Sequence, residues 1–118
     1  MTAPEPAARI VLTTTANHEE AVHLARTLVE ERLAACASLL PSVESIYHWQ
    51  GEIETSRETM IVFKTEAEQI PALEARLQAL HSYQTPEFLV LRIETGSQAY
   101  LDWINTNLRR DASVNPES

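Results

Sequence analysis

The side chains in this sequence that suit a soft metal ion are one cysteine and four histidines. Copper prefers imidazole and thiolate ligands. The residues are Cys36, His18, His23, His48 and His81. No two of them have the spacing of a zinc finger or of an i, i+4 helical pair, so any metal binding is expected to be weak or peripheral. Cys36 and His81 are the candidate ligands. The alternatives are a small buried residue at Cys36 and a helix cap or hydrogen bond at His81.

A second chemical feature is Lys64, the only lysine in a chain that carries eight arginines. It lies in an otherwise apolar segment, and a buried ammonium group requires an anionic partner. Glu58 is six positions earlier and points to the same face of a strand, and Glu87 begins a later strand. The sequence therefore predicts a Lys–Glu pair, which could bind a small anion or polarise a carbonyl group in a cleft. An ion pair that fixes the register of an interface is the alternative.

Composition excludes several function classes. The net charge of −8 disfavours nucleic acid and anionic membranes as partners and makes cations the natural counter-charge. The two glycines, Gly51 and Gly96, are too far apart for a Walker A loop and too few for a dinucleotide-binding fingerprint. No serine has an assigned histidine partner, so we do not expect an enzyme. A single cysteine, together with an N-terminus that lacks the pattern of a signal peptide, predicts a cytoplasmic protein.

Seven periodic segments must position these residues, and a length of 118 residues predicts one domain. The segments are a strand at 9–15, a helix from Asn17 to about Ala34, strands at 36–49 and 53–65, a helix with Pro71 in its first turn, a strand at 88–93 and a short helix after Ser97. The domain spans 9–110, and 1–8 and 111–118 are predicted to be disordered tails. This order, βαββαβ followed by α, predicts an α+β, ferredoxin-like sandwich with an antiparallel sheet.

The predicted sheet has more apolar surface than one chain can cover. Residues 60–63 and 88–91 are apolar at consecutive positions, so both faces of those strands require cover. The two long helices cover one face in this fold, and self-association with closed symmetry is the simplest way to cover the other. Pro41 predicts a bulge or a sheet edge, and Gln50-Gly51 predicts a turn that closes a long hairpin.

Five sequence blocks, in order, carry a resemblance to a known family. They are Leu33-Ala-Ala-Cys-Ala37, Ser45-Ile-Tyr-His-Trp-Gln-Gly51, Glu58 with Phe63-Lys-Thr65, His81-Ser-Tyr-Gln-Thr-Pro-Glu87, and Tyr100-Leu-Asp-Trp-Ile104. With these blocks the chain resembles the CutA (divalent-cation tolerance) family from about Ile10 to Leu108. The resemblance implies a cytoplasmic homotrimer of ferredoxin-like subunits and a role in tolerance of divalent metals, copper above all.

The resemblance also implies where sites lie. The residues in the signature blocks that are expected to line a cleft between subunits are Tyr47, Trp49, Glu58, Lys64, Tyr83, Glu87 and Trp103. Copper-binding members of the family resemble a pattern that falls here on Thr13, Leu80 and His81, and only the histidine matches. Weak binding of copper or of another divalent cation is therefore expected. The architecture is similar to that of the PII signalling proteins, so the alternatives are a PII-like sensor with a small anionic metabolite in the cleft, or a stable trimeric scaffold.

Overall fold

The computed structural model describes residues 5–110, which form one antiparallel sheet with helices on both of its faces. In chain order the elements are β1 (Ala8–Thr15), α1 (His18–Glu30), β2 (Cys36–Trp49), β3 (Glu52–Glu66), a 3₁₀ turn at Ala67–Gln69 that leads into α2 (Ile70–Leu80), β4 (Leu89–Arg92) and α3 (Gln98–Thr106). The strand order is β2-β3-β1-β4. The predicted α+β, ferredoxin-like class with an antiparallel sheet is confirmed.

The first helix is shorter than its apolar spacing predicted. It begins after Asn17, whose side chain accepts a hydrogen bond of 2.8 Å from the backbone N–H of Glu20. It ends at Glu30 rather than near residue 34, because Arg32 adopts a left-handed conformation with φ of 60°. The N–H of Leu33 then bonds to the carbonyl of Leu28 at 3.1 Å, which is the Schellman arrangement. That turn keeps Leu33 in the core and so prolongs the apolar pattern beyond the helix.

Helices α1 and α2 cover one face of the sheet and form the main core with it. Leu24 and Leu77 project from the two helices, and alternation along β3 directs Ile61 and Phe63 towards them. All four side chains are fully buried. Each contributes roughly 1.5–3 kcal/mol of transfer free energy to the folded state. Pro71 lies in the first turn of α2, as predicted.

The opposite side of the sheet, called here the open face, is covered at one end only. Strand register brings to it Ile10, Leu12, Met60, Val62, Lys64, Leu89 and Leu91. At one end, Ile104 of helix α3 and Leu108, which follows this helix, pack against Ala8. At the edge strand β4, Leu89 and Leu91 are 54% and 47% exposed. A single chain therefore leaves apolar sheet surface in contact with water.

Strands β2 and β3 continue beyond the sheet as a hairpin, called here the arm (43–58). The register shifts between Leu40 and Val43, and Ser42 has φ of 61°, so the predicted bulge at Pro41 is confirmed. Gln50 and Gly51 close the arm with positive φ at both positions, as the two-residue turn of a hairpin requires. The arm carries exposed apolar side chains on both of its faces, and these are Ile46, Tyr47, Trp49 and Ile53.

Strand β1 begins one residue before its predicted start, because Ala8 is part of the sheet and is 2% exposed. Most of the two predicted tails lies outside the described residues, at 1–4 and 111–118, and disorder there stays a prediction. Among residues 5–110, no helix combines the length and the apolar character needed to cross a bilayer.

Candidate functional site

Most of the sequence-predicted site residues lie in two groups at different levels of β3, one near its middle at Glu58 and one near its C-terminal end at Lys64. The first, called the arm-base cluster, consists of Tyr47, Glu58, Tyr83 and Glu87. The second, called the lysine cluster, consists of Lys64, Cys36, Ser38 and Tyr100. Trp103 stacks on Tyr100, and Trp49 lies near the tip of the arm, away from both groups.

A tyrosine–carboxylate hydrogen bond organises the arm-base cluster. The hydroxyl of Tyr83 donates to Oε2 of Glu58 at 2.7 Å. Burial raises the pKa of Tyr83 far above its usual value, and the hydrogen bond and the negative charge of Glu58 raise it further. Burial also raises the pKa of Glu87, and repulsion by Glu58 adds to this rise. The cluster therefore holds the carboxyl groups of Glu58 and Glu87 close together, and Glu58 accepts a hydrogen bond from the phenol of Tyr83.

The loop that carries Tyr83 is attached at several points by hydrogen bonds. Nε2 of His81 lies 2.7 Å from the carbonyl oxygen of Thr14, and Nδ1 accepts from the N–H of Tyr83 at 3.0 Å. The N–H and hydroxyl of Ser82 both donate to the carboxylate of Glu20, at 2.8 and 2.9 Å. Both ring nitrogens of the buried His81 are thus engaged, and the expected hydrogen-bonding role is present. His81 is also the residue that follows the last turn of α2.

Cys36 and His81 do not come together within one chain. Cys36 is paired with Lys64 on β3, whereas His81 bonds to Thr14, which is paired with Met60. Four residues of an extended strand separate these two levels, which corresponds to about 13 Å. In the part of the chain that the structure describes, no group of three or more His, Cys, Asp or Glu side chains could hold a metal ion. Each candidate ligand would therefore act without the other in a single subunit.

Within the described residues of a single chain, Lys64 does not pair with Glu58 or Glu87, and a Lys–Glu pair between two chains stays a prediction. Lys64 donates to the hydroxyl oxygen of Ser38 at 2.6 Å, and its Nζ lies 3.9 Å from Sγ of Cys36. Glu58 does point to the same face of β3, but six residues of strand place it about 20 Å away. Glu87 lies beside Glu58 and not beside Lys64. The alternation correctly predicted the face, but it does not measure the distance along the strand.

Tyr100 and Ser38 were not singled out as site residues from the sequence. Ser97 caps α3 by accepting from the N–H of Tyr100 at 3.2 Å, which sets the rotation of the helix. Tyr100 then lies against Cys36 on the open face. Burial raises the pKa of Tyr100, and the neighbouring thiol of Cys36 raises it further. Its ring stacks on that of Trp103 with centroids 5.6 Å apart. The i, i+3 spacing of the two aromatic residues was the sequence signal for this pair.

Fold and sites together define the class of protein: a ferredoxin-like α+β domain with a projecting arm and polar clusters on a partly uncovered sheet face. Residues 9–107 match the family model described as CutA1 divalent ion tolerance protein. The chain is 44% identical over 98 residues to the divalent-cation tolerance protein CutA of Thermus thermophilus, and this match covers 83% of this chain and 95% of that protein. The chain belongs to the CutA1 divalent ion tolerance family.

Solved structures of the family have the same fold. CutA from Synechococcus elongatus is 44% identical, with a TM-score of 0.85, and the match covers 90% of this chain and 95% of that one. A structure from Archaeoglobus fulgidus, described as a periplasmic divalent cation tolerance protein CutA, is 33% identical, with a TM-score of 0.83 and coverage of 86% and 99%.

Proposed function

We propose that this protein acts as a homotrimer in the cellular response to divalent metal ions and binds copper or another divalent cation weakly, without catalysing a reaction. The observation that carries the proposal is the match to the divalent ion tolerance family along residues 9–107. A net charge of −8 supports an affinity for cations in general. We place the protein in the cytoplasm, because the free thiol of Cys36 is typical of a reducing compartment.

Self-association is supported by the apolar surface that one chain leaves uncovered. On the arm, Ile46, Trp49 and Ile53 are 68%, 60% and 61% exposed. Trp49 lies on the side of the arm that continues the open face, and Ile46 and Ile53 lie on the other side. Water contact with so much apolar area is unfavourable. We propose that neighbouring copies cover the arm and the open face in a closed trimer, in which Trp49 is an anchor of the interface.

Weak metal binding is supported by the surroundings of the two candidate ligands. The ammonium group of Lys64, 3.9 Å from Sγ of Cys36, repels a cation that approaches the thiol. Binding at His81 requires the loss of at least one of two hydrogen bonds of its ring. Exposed carboxylates such as Glu19 and Glu30 remain as loose cation sites. We therefore propose that Cys36 and His81 bind copper with low affinity and separately.

The test is native mass spectrometry of the purified protein, with and without one equivalent of Cu(I) per chain under anaerobic conditions. We expect a trimer that is only partly loaded with copper, and lower loading in Cys36→Ala and in His81→Asn. His48→Asn, on the exposed arm, is the matched control and should leave the loading unchanged.

Three results would contradict parts of the proposal. A monomeric mass would exclude the homotrimer. Loading that survives both Cys36→Ala and His81→Asn would exclude these ligands. A trimer that takes up neither Cu(I) nor Zn²⁺ would exclude direct binding of a metal ion.

A further inference from the structure

We infer that Lys64, Ser38 and Tyr100 form a binding site for a small organic anion, with its carboxylate or phosphate group held at the edge of the open face beside α3. This site adjoins Cys36, whose Sγ lies 3.9 Å from Nζ of Lys64, but its chemistry is that of a cation and hydroxyl donors, which bind an anion and not a metal ion.

Within residues 5–110, no carboxylate forms an ion pair with the ammonium group of Lys64, although the chain has 17 acidic residues. The acidic residue closest in sequence on the same face is Glu66, and its carboxylate accepts a hydrogen bond of 3.0 Å from Asn105. The Lys64 residue is partly buried on an apolar sheet face, and an anion beside its ammonium group would complete this cluster with charge-assisted hydrogen bonds.

The neighbours of Lys64 supply further donors. Lys64 donates to the hydroxyl oxygen of Ser38 at 2.6 Å, so the proton of that hydroxyl is free to point to a third group. The ammonium group has three N–H donors, and Ser38 accepts from one of them. The Sγ of Cys36, at 3.9 Å, is only a weak acceptor for a second. Charge-assisted hydrogen bonds from such a group to an oxyanion are among the strong ones. The cluster therefore offers donors without an acceptor of matching charge.

Tyr100 and Trp103 form an aromatic wall next to this group. Their rings stack at 5.6 Å with an interplanar angle of 21°, and they are 45% and 44% exposed. Such a wall and the apolar open face suit the carbon skeleton of an organic acid better than they suit a hydrated inorganic ion.

The competing explanation is a carboxylate of a second copy of the chain. If neighbouring copies cover the open face, Lys64 loses water and its need for a negative partner increases. Either an acidic side chain of the neighbour or a small anion could meet that need. The hydroxyl of Ser38, which accepts from Lys64 and keeps its own proton to donate, favours the small anion, because it adds a hydrogen bond beside the ammonium group.

The single lysine makes the test specific. In protein labelled with ¹³C-lysine, the ε-CH₂ group of Lys64 gives the only lysine signal. We expect this signal to shift and saturate on titration with phosphate and with benzoate, but not with sodium chloride at equal ionic strength. Ser38→Ala should weaken phosphate binding by about tenfold, the equivalent of one good hydrogen bond to a charged group. Tyr100→Phe should weaken it in the same direction.

A second measurement covers the case in which Lys64 cannot be observed. Phosphate should raise the thermal midpoint of the wild type and of Arg26→Met, which removes an exposed positive charge from α1. It should not raise the midpoint of Lys64→Met. A lysine signal that responds to all salts alike would refute the site. The site would also be refuted if Lys64→Met lowered the thermal midpoint of the trimer by the same amount with and without phosphate. That result would assign Lys64 to a carboxylate of a neighbouring copy.

Discussion

Replacement of Tyr83 by Phe removes one hydroxyl and tests whether the arm-base cluster stabilises the fold. In the structure, this hydroxyl donates at 2.7 Å to Oε2 of Glu58, in a partly buried position. The aromatic ring, which lies 4.8 Å from the ring of His81, has the same size in Tyr83→Phe. The substitution therefore isolates the hydrogen bond and leaves the packing of the loop intact.

The expected loss follows from the charge and the burial of the acceptor. Hydrogen bonds to charged groups contribute roughly 1.5–3 kcal/mol, and partial exposure to water places this one near the lower end. We expect Tyr83→Phe to lower the free energy of unfolding by about 1–2 kcal/mol per chain. Tyr47→Phe is the matched control, since the hydroxyl of Tyr47 makes only an exposed bond of 3.2 Å to Ser56. It should cost about 0.5 kcal/mol or less.

Urea or guanidinium unfolding at one fixed chain concentration is the assay, because the stability of an oligomer depends on concentration. The double mutant with Glu58→Ala, which removes the acceptor, completes a cycle, and the effect of Tyr83→Phe should be much smaller in that background. Equal losses for Tyr83→Phe and Tyr47→Phe would refute the reasoning. An unchanged effect in the Glu58→Ala background would show that the hydroxyl acts through another group.

Two further predictions concern pH and the core. The pKa of Glu87 is raised in the folded protein, so the folded state holds this proton more tightly than the unfolded state does. The free energy of unfolding should therefore fall as the pH rises from the usual value of 4.5 through the raised value. Glu87→Gln should flatten this part of a plot of unfolding midpoint against pH, and an unchanged plot would contradict the burial and repulsion assigned to it. Phe63→Ala should cost about 3–5 kcal/mol by chemical denaturation, because the side chain is fully buried between the sheet and both long helices. A loss below about 1 kcal/mol would show that Phe63 is not part of the core.

Local periodicity was sufficient to predict the elements and the faces of the strands. Alternation along β3 distinguishes the buried positions, such as Ile61 and Phe63, from those on the open face, such as Lys64. The bulge at Pro41 and the turn at Gln50-Gly51 could also be predicted, because proline and glycine restrict or permit particular backbone angles at their own position. These features depend on neighbouring residues alone.

The end of α1 shows where such patterns mislead. Leu33 is at helical spacing from the preceding apolar residues, yet Arg32 has already left the helix. A Schellman turn places an apolar residue back against the last turn, so the apolar pattern continues after the helix has ended. A glycine at position 32 would have marked this turn, and arginine there gives no such signal.

The sequence alone determined the family, the order of the elements and the face on which each strand residue lies, because each of these is encoded by residue type and local spacing. Only the tertiary structure decided which side chains meet: Lys64 with Ser38, Tyr83 with Glu58, and His81 with Thr14. The partners in these pairs are 25 to 67 positions apart in the chain. Their contact depends on sheet register and on the path of the loop after α2. Two residues on the same face of a strand can still be too far apart to interact, because each strand residue adds about 3.3 Å.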